Sequence, residues 1–290
     1  MKRLLPLIAT LFAIACCAAQ NLRKVPLADP FILLYDGVYY AYGTGAGSGI
    51  EVWTSRDLST WERAKGNARD GLALHRTDVW GEKWFWAPEV YRLNDKFYMY
   101  FTAEEHICVA TSDSPLGPFV QEKRQPMIAD EKCIDNTLFI DDDGRAYMYF
   151  DRFNDGLNIW VVELEDGCTT LKKETMRPCI HVSQEWEKVW PRVNEGCFVI
   201  RRNGTYYMTY SANSYESPFY GIGCATADSP LGPWTKYDRN PLLQNPGELV
   251  GVGHSALFRD KAGNLKIVFH AHKSKGAIHP REMYILSLIH

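Results

Sequence analysis

Five stretches of this chain repeat one plan, and the repeat constrains the fold more than any other feature. Each stretch has a polar residue beside an apolar run, then a turn, then a second strand-like run. One residue anchors the second run of each copy: Tyr40, Tyr98, Tyr147, Tyr207 and Ile267. The steps between these anchors are 58, 49, 60 and 60 residues. Short strands that repeat every ~40 to 60 residues are typical of a β-propeller, with one four-stranded blade per repeat. The sequence therefore predicts an all-β, five-bladed β-propeller.

The fourth copy shows the plan most clearly. Glu195 stands just before the apolar run 197–200, and Asn203-Gly204 separates that run from the strand-like run 205–211. Asn and Gly both tolerate the positive φ of tight hairpin turns, so this stretch predicts a β-hairpin. Near copies of a second motif, ATSDSPLGPF (110–119) and ATADSPLGPW (225–234), and a looser third, TSRDLSTWE (54–62), support the repeat.

The polar residue of each repeat is a candidate for function. Because the innermost strands of a propeller begin around a central channel, one residue per blade is expected to converge there. These residues are Asp29, Glu89, Asp135, Glu195 and His254. Four carboxylates gathered in one place repel each other, which raises the pKa of some of them unless cations intervene. Carboxyl groups with divergent pKa values are what acid–base hydrolysis of a glycosidic bond requires.

The motifs around these residues resemble those of glycoside hydrolase family 43. They are ADPF at Asp29, WAPE at Glu89, IDNTLF around Asp135, NEGCF at Glu195 and GHSA at His254. The TSRDLSTWE and SPLGP turns are similar to that family too, and the resemblance covers essentially the whole mature chain. It implies a five-bladed propeller that hydrolyses glycosides with inversion. Two departures are Asn136 and Cys197, where many members have proline; both leave the neighbouring carboxylate in place.

The resemblance also implies roles for single residues. Asp29 matches the general base, Glu195 the general acid, and Asp135 the acid that raises the pKa of Glu195 and orients it. For substrate binding, Trp86 is expected in the cleft wall, whereas Trp84 is expected in the core. Glu89 either binds substrate hydroxyls or pairs with an arginine. Arg281, in HPREMY, resembles an arginine that contacts substrate in relatives; an exposed or ion-paired arginine is the alternative.

No cofactor is required by this chemistry, but the resemblance raises a metal site. In several members the residue matching His254 faces a channel ion, taken as calcium and held largely by waters. Calcium prefers oxygen ligands, and a single histidine is a poor site for it. A histidine that is simply hydrogen-bonded in the channel is an equal alternative.

The chain begins with a predicted export signal, residues 1–19, before a predicted catalytic propeller at 20–290. Lys2 and Arg3 precede an apolar run too short for a comfortable membrane span. Cleavage after Cys17-Ala18-Ala19 competes with a lipoprotein box that would leave Cys16 lipidated. We therefore expect a periplasmic protein, an outer-membrane lipoprotein or a secreted protein, without a transmembrane segment.

The composition limits the kinds of molecule that the protein is expected to bind. A net charge of −3 gives no electrostatic argument for nucleic acid. Aromatic residues are 13% of the chain, more than strand cores need, which favours a carbohydrate-binding surface on a monomer. The six cysteines beyond the signal have no CxxC spacing, so a thiolate metal cluster is not expected.

The resulting functional prediction is an exo-acting α-L-arabinofuranosidase of plant cell-wall polysaccharides. β-Xylosidase, endo-arabinanase and galactan-cleaving activities are alternatives within the family. A carbohydrate-binding propeller without turnover is the alternative from another class. It would be marked by loss of one of the three acids, and all three are present.

Overall fold

A computed structural model describes residues 24–288. The predicted signal, including Cys16, lies outside these residues, so its processing and the export of the protein stay predictions. The helices of the described part are short 3-10 turns: Arg69–Gly71, Arg76–Asp78, Lys173–Thr175 and Glu185–Val189. None of the helices within 24–288 is long and apolar enough to cross a membrane.

The strands form five antiparallel sheets arranged as blades, with a small ribbon beside the first. Blade 1 and its ribbon contain β1 (Ala28–Tyr35), β2 (Val38–Thr44), β3 (Gly49–Ile50), β4 (Val52–Ser55), β5 (Glu62–Arg63) and β6 (Leu74–His75), with β3 and β6 paired as the ribbon. Blade 2 contains β7 (Trp86–Leu93), β8 (Lys96–Ala103) and β9 (His106–Ser112). Blade 3 contains β10 (Cys133–Ile140), β11 (Ala146–Phe153), β12 (Leu157–Glu163) and β13 (Arg177–Ile180). Blade 4 contains β14 (Asn194–Arg202), β15 (Thr205–Ala212), β16 (Gly221–Ala227) and β17 (Thr235–Lys236). Blade 5 contains β18 (Gly253–Arg259), β19 (Leu265–Ala271) and β20 (Glu282–Ser287).

The predicted five-bladed propeller is confirmed, but four strands per blade is wrong for two blades. Blades 2 and 5 have three strands each. Single bridges take the place of a fourth strand there: Thr111 with Val120 in blade 2, and Val25 with Met283 in blade 5. The N–H of Met283 donates to the carbonyl of Val25 at 2.9 Å. This bond joins the start of the described chain to its last blade and so closes the ring.

The repeats identified in the sequence correspond to real structural units. All five anchors lie in the second strand of a blade, β2, β8, β11, β15 or β19. The predicted hairpin is confirmed as well: Arg202 pairs with Thr205, and both Asn203 (φ 50°) and Gly204 (φ 81°) have positive φ.

The two SPLGP turns join neighbouring blades through the same contact. The hydroxyl of Tyr42 in blade 1 donates to the carbonyl of Pro115 at 2.6 Å. Two blades later, the hydroxyl of Tyr149 donates to the carbonyl of Pro230 at 2.7 Å. Both tyrosines are fully buried. Each turn therefore satisfies a hydroxyl that the preceding blade buries.

Candidate active site

Every inner strand begins with a bulge at the same end of the channel. The second residue of the bulge, counted from the last paired residue before the register shift, adopts a positive φ in all five blades. These residues are Asp29 (49°), Ala87 (43°), Asp135 (54°), Gly196 (55°) and His254 (47°). The ladder register shifts at these positions, so the strand bends and its side chains are re-aimed. Asp29, Asp135 and His254 occupy the bulge position itself, whereas Glu195 stands one residue before it and Glu89 two residues after it. The expected convergence of one polar residue per blade holds for all of these except Glu89.

A ring of hydrogen bonds holds these bulges. The backbone N–H of each bulge residue donates to a side chain at the end of the second strand of the blade before it. The acceptors are Thr44 for Ala87 (3.0 Å), Thr102 for Asp135 (3.2 Å), Asp151 for Gly196 (2.8 Å), Ser211 for His254 (2.7 Å) and His270 for Asp29 (3.1 Å). Since these bonds run from blade to blade around the channel, they fix the positions of the polar side chains at its mouth.

A cleft of about 800 Å³ opens at this end of the channel. It brings together Asp29, Asp135, Glu195, His254, Trp86 and Arg281 among the residues singled out from the sequence. Tyr215, Tyr220, Trp84 and Glu51 also line it.

Asp29 is surrounded by cationic and hydrogen-bonding groups. Its Oδ1 lies 2.9 Å from Nη1 of Arg281 and 3.3 Å from Nδ1 of His270, and its Oδ2 accepts from the hydroxyl of Thr44 at 2.6 Å. Burial by itself raises the pKa of Asp29. Arg281 above all, with His254 and His270, outweighs burial and holds the pKa well below its ordinary value. Asp29 is therefore ionised at neutral pH.

Glu195 has the opposite environment. Its Oε1 accepts from the hydroxyl of Tyr220 at 2.7 Å, and within residues 24–288 no lysine, arginine or histidine bonds to it. Burial, and then the negative charge of Asp29, raise the pKa of Glu195 to about 7, although the bond from Tyr220 acts the other way. Glu195 therefore keeps its proton in weakly acidic solution.

Tyr220 connects the two acids through a stacked histidine. Its ring stacks on His270 at a centroid distance of 5.7 Å and an angle of 14°, and His270 in turn contacts Asp29. A Cβ on Gly253 would lie 1.9 Å from the Tyr220 ring, so only glycine leaves room for this stack. The two acids consequently face the same cleft with a rigid aromatic pair between them.

Asp135 lies between the two environments. Its Oδ2 is 3.7 Å from Nδ1 of His254, which is itself 3.4 Å from Oδ1 of Asp29. Burial, then the charges of Glu195 and Asp29, raise the pKa of Asp135 well above its ordinary value. Gly196 fits here because a Cβ at this positive φ would lie 2.9 Å from the His254 ring. The acids predicted from the repeats thus meet at one mouth and influence each other's ionisation.

Glu89 does not belong to this cleft. Its side chain is buried, and it accepts a hydrogen bond from the hydroxyl of Tyr91, which also lies 3.3 Å from the hydroxyl of Thr137. Burial raises the pKa of Glu89 to about 8, so it is neutral at pH 7. The expectation that Glu89 binds substrate or pairs with an arginine is corrected: the bulge turns it into the blade interface.

The tryptophans form one wall of the cleft. Trp84 stacks on Trp86 with ring centroids 5.7 Å apart at 18°, and the ammonium group of Lys83 lies 4.1 Å above Trp84. Trp84 is 44% exposed, so its expected place in the core is wrong. An indole face that lines a cleft is suited to stacking on the C–H face of a sugar ring.

Arg281 is ion-paired, which is one of the two alternatives considered from the sequence, and its contact with substrate stays a prediction. Its guanidinium pairs with Asp29 and lies 4.5 Å from the Tyr215 ring centroid, and it also lines the cleft. Its Nε–H is buried and has no partner within residues 24–288.

The donor set around His254 does not fit a directly coordinated calcium ion, whereas an ion held largely by waters stays a prediction. Calcium takes six to eight oxygen ligands. Residues 24–288 contain no group of three or more His, Cys, Asp or Glu side chains arranged to hold a metal ion. The guanidinium of Arg281 already supplies positive charge beside Asp29. These residues do not fit directly coordinated calcium, and no chemical step below depends on it.

Asp151 was not singled out from the sequence. It is completely buried behind Asp135 and Gly196. One signal could have found it: the bulge-holding residue follows the second-strand anchor by four positions in four repeats and by three in the last, as in Tyr147 to Asp151.

A propeller with acidic side chains of divergent ionisation at its mouth is the architecture of a glycoside hydrolase. The model for glycosyl hydrolases family 43 matches residues 23–288, and the chain belongs to that family of inverting enzymes. The family resemblance drawn from the motifs is thereby confirmed.

Known relatives match most of the chain. A solved structure described as endo-1,4-beta-xylanase from Bacteroides thetaiotaomicron is 48% identical, with a TM-score of 0.87 and 92% of each chain covered. A beta-D-galactofuranosidase of Aspergillus niger is 26% identical over 84% of this chain and 73% of its own length. An arabinoxylan arabinofuranohydrolase of Paenibacillus polymyxa is 26% identical over 84% of this chain. The chain spans only 44% of that enzyme's length.

Proposed function

We propose that this protein is an exo-acting α-L-arabinofuranosidase that removes side chains from plant cell-wall polysaccharides. The observation that carries the proposal is the pair of acids in one cleft with opposite ionisation, Asp29 and Glu195. Inverting hydrolysis needs one ionised base and one protonated acid on opposite faces of the sugar.

The mechanism assigns each group one task. Asp29, ionised beside Arg281, takes a proton from a water molecule as that water attacks the anomeric carbon. Glu195 gives its proton to the leaving oxygen. A separation of ~6.5–9.5 Å between such carboxyl groups leaves room for the water. Asp135, near both acids, favours the protonated form of Glu195 as long as it carries negative charge.

Exposed aromatic side chains around the mouth favour a carbohydrate substrate. Trp84 and Trp86 form one wall, and Tyr215, 36% exposed, stands by Arg281. The arabinofuranohydrolase relative is named for arabinoxylan, which supports an arabinose-decorated polymer as the substrate.

One further candidate has a specific observation in its favour. The relative that is 48% identical is described as an endo-1,4-beta-xylanase, which favours cleavage of a xylose backbone in the same cleft. The acid and the base would be the same residues, whereas the sugar that carries the reacting anomeric carbon would be xylose and not arabinose.

The test is a panel of aryl α-L-arabinofuranoside, β-D-xyloside and β-D-galactofuranoside substrates, together with arabinoxylan and linear xylan. We expect release of arabinose from arabinoxylan with no shortening of its backbone. The anomeric configuration of the first-formed sugar, followed by proton NMR, should be inverted. Shortening of linear xylan would favour the xylanase candidate, and inactivity on every substrate would contradict both.

A further inference from the structure

Asp151 is a buried acid whose partners the mechanism leaves unexplained. It lies in β11 opposite Ile134 and is 0% exposed. Its Oδ2 accepts the N–H of Gly196, the residue after Glu195, at 2.8 Å. Its Oδ1 finds no donor among residues 24–288. A carboxylate oxygen buried without a donor is costly, so it calls for an explanation.

The carboxyl group of Asp135 lies within hydrogen-bonding reach of Asp151. Two carboxylates cannot form such a bond unless one of them carries a proton. The titratable groups around Asp151 are Asp135 and Cys133 on β10, and Glu195 and Cys197 on β14. Within 24–288 no lysine, arginine or histidine bonds to Asp151. Burial first, then the charges of Asp135 and Glu195, raise the pKa of Asp151 well above its ordinary value.

In blade 1, the position equivalent to Asp151 holds a side chain that donates a hydrogen bond. Thr44 is the counterpart of Asp151, because it pairs with Ala28 as Asp151 pairs with Ile134. The hydroxyl oxygen of Thr44 accepts the N–H of Ala87 from the next blade at 3.0 Å. The same hydroxyl donates to Oδ2 of Asp29 in its own blade at 2.6 Å. Each position thus receives a bond from the next blade and faces the bulge acid of its own blade.

We propose that Asp151 is a protonated positioning residue that does for Asp135 what Thr44 does for Asp29. Its acid proton, on Oδ1, is donated to the carboxylate of Asp135, while Oδ2 holds the backbone beside Glu195. The missing donor at Oδ1 is then explained, since that atom is itself the donor. The bond stabilises the charge of Asp135, and through it the proton of Glu195. This role rests on the proposed function, in which Glu195 is the acid.

Matched substitutions separate this role from simple packing. Asp151→Asn keeps one donor and one acceptor, and Asp151→Thr copies blade 1. Asp151→Val has the shape of threonine with neither a donor nor an acceptor.

Without the donor at position 151, Asp135 holds its own proton more tightly and repels the anion of Glu195 less. The alkaline limb of the kcat/KM profile should therefore move to lower pH in the valine variant. The rate above that limb should fall on the order of tenfold for each pH unit by which the limb moves. The asparagine and threonine variants should restore the limb.

A double-substitution cycle and a control sharpen the result. In an Asp135→Asn background, Asp151→Val should not move the limb further, because the charge that it acts through is gone. Glu187→Gln is the control: this buried acid pairs with Lys236 at 2.5 Å, away from the cleft. It should lower the melting temperature and leave the limb in place. The same outcome for Asp151→Val would overturn the proposal, as would an asparagine variant whose limb moves as far as that of the valine variant.

Infrared difference spectroscopy tests the proton without using activity. The difference spectrum, wild-type protein minus the Asp151→Asn variant, is recorded above neutral pH. It should show the carbonyl band of a protonated carboxylic acid. Glu89 contributes equally to both samples and cancels. A carboxylate band in its place would overturn the proposal even if the enzyme acts on an arabinoside. The acid band in a protein inactive on every substrate would uphold the proton on Asp151 while the proposed function failed.

Discussion

The two sides of the cleft bury acids in opposite ways. On the side of blades 1 and 5, the carboxylate of Asp29 lies beside Arg281 and His270 and accepts a hydrogen bond from the hydroxyl of Thr44. On the side of blades 3 and 4, no cation within residues 24–288 bonds directly to Glu195 or Asp151. Burial penalises the charged form on both sides, and only the first side compensates for it.

This difference shows how a propeller with nearly equivalent blades can hold one acid ionised and another protonated. The bulges and the ring of hydrogen bonds are shared by all five blades, so the backbone offers the same positions repeatedly. In the proposed mechanism, the base differs from the acid chiefly through one arginine, Arg281, supplied by the segment just before β20. A base that stays ionised and an acid that keeps its proton follow from where that charge lies.

Removing either acid should have the largest effect. Asp29→Ala or Glu195→Ala should lower kcat on a natural glycan on the order of 10²–10⁴-fold, because each removes a proton-transfer group. On a nitrophenyl glycoside, Glu195→Ala should look milder, since that leaving group needs little protonation. Initial rates on both substrates, with circular dichroism to confirm folding, check this. If both variants kept near-normal kcat on the glycan, the assignment of base and acid would be refuted.

Removing the arginine should make the two sides more alike. Arg281→Met takes away the charge that opposes burial at Asp29, so the pKa of Asp29 should rise. The acidic limb of kcat/KM, which reports ionisation of the base, should then move to higher pH. Activity below that limb should fall on the order of tenfold for each pH unit that the limb travels. Arg281→Lys is the matched control, because it keeps a positive charge and should move the limb less. An unmoved limb in the methionine variant would show that Arg281 does not keep Asp29 ionised.

Neutralising Asp135 should move the limb that reports the acid. Asp135→Asn removes negative charge near Glu195, so the pKa of Glu195 should fall from about 7 and the alkaline limb should move to lower pH. We expect a loss of roughly tenfold in kcat/KM at alkaline pH. Rates from about pH 4 to pH 9 beside a thermal melt measure both quantities. A lower melting temperature with an unmoved limb would show that Asp135 only supports the strand.

The sequence could predict the repeat, and with it most of the fold. Alternating strands and turns are local signals, so the five anchors fell in second strands and the Asn203-Gly204 hairpin formed as expected. The loss of a fourth strand in blades 2 and 5 had no local signal. In blade 5 it depends on Val25, which meets Met283 where the ring closes, and in blade 2 on Val120, which bridges Thr111 at a single residue pair.

For the site, the sequence predicted which acids matter better than it predicted their positions. A bulge changes which residues face the channel, and no spacing rule distinguished Glu195 from Glu89. Asp29, Asp135 and Glu195 reached the cleft, whereas Glu89 was turned into the blade interface. The spacing from Tyr147 could have drawn attention to Asp151, but not its burial against acids, because its environment consists of residues from three strands.

The smallest effect should come from the hydrogen bond that opposes burial at Glu195. Tyr220→Phe removes the hydroxyl that donates to Glu195 at 2.7 Å but keeps the ring stacked on His270. That bond favours the ionised form of Glu195, so without it the pKa of Glu195 should rise. The alkaline limb should therefore move to higher pH, opposite to the direction expected for Asp135→Asn. At neutral pH we expect less than about a fivefold change in kcat/KM, because about half of Glu195 is protonated in the wild type and a higher pKa can at most about double that fraction. Tyr215→Phe is the control, since its hydroxyl contacts Glu216 instead. A limb that moved to lower pH in Tyr220→Phe would mean that Tyr220 holds the proton on Glu195 and does not oppose it.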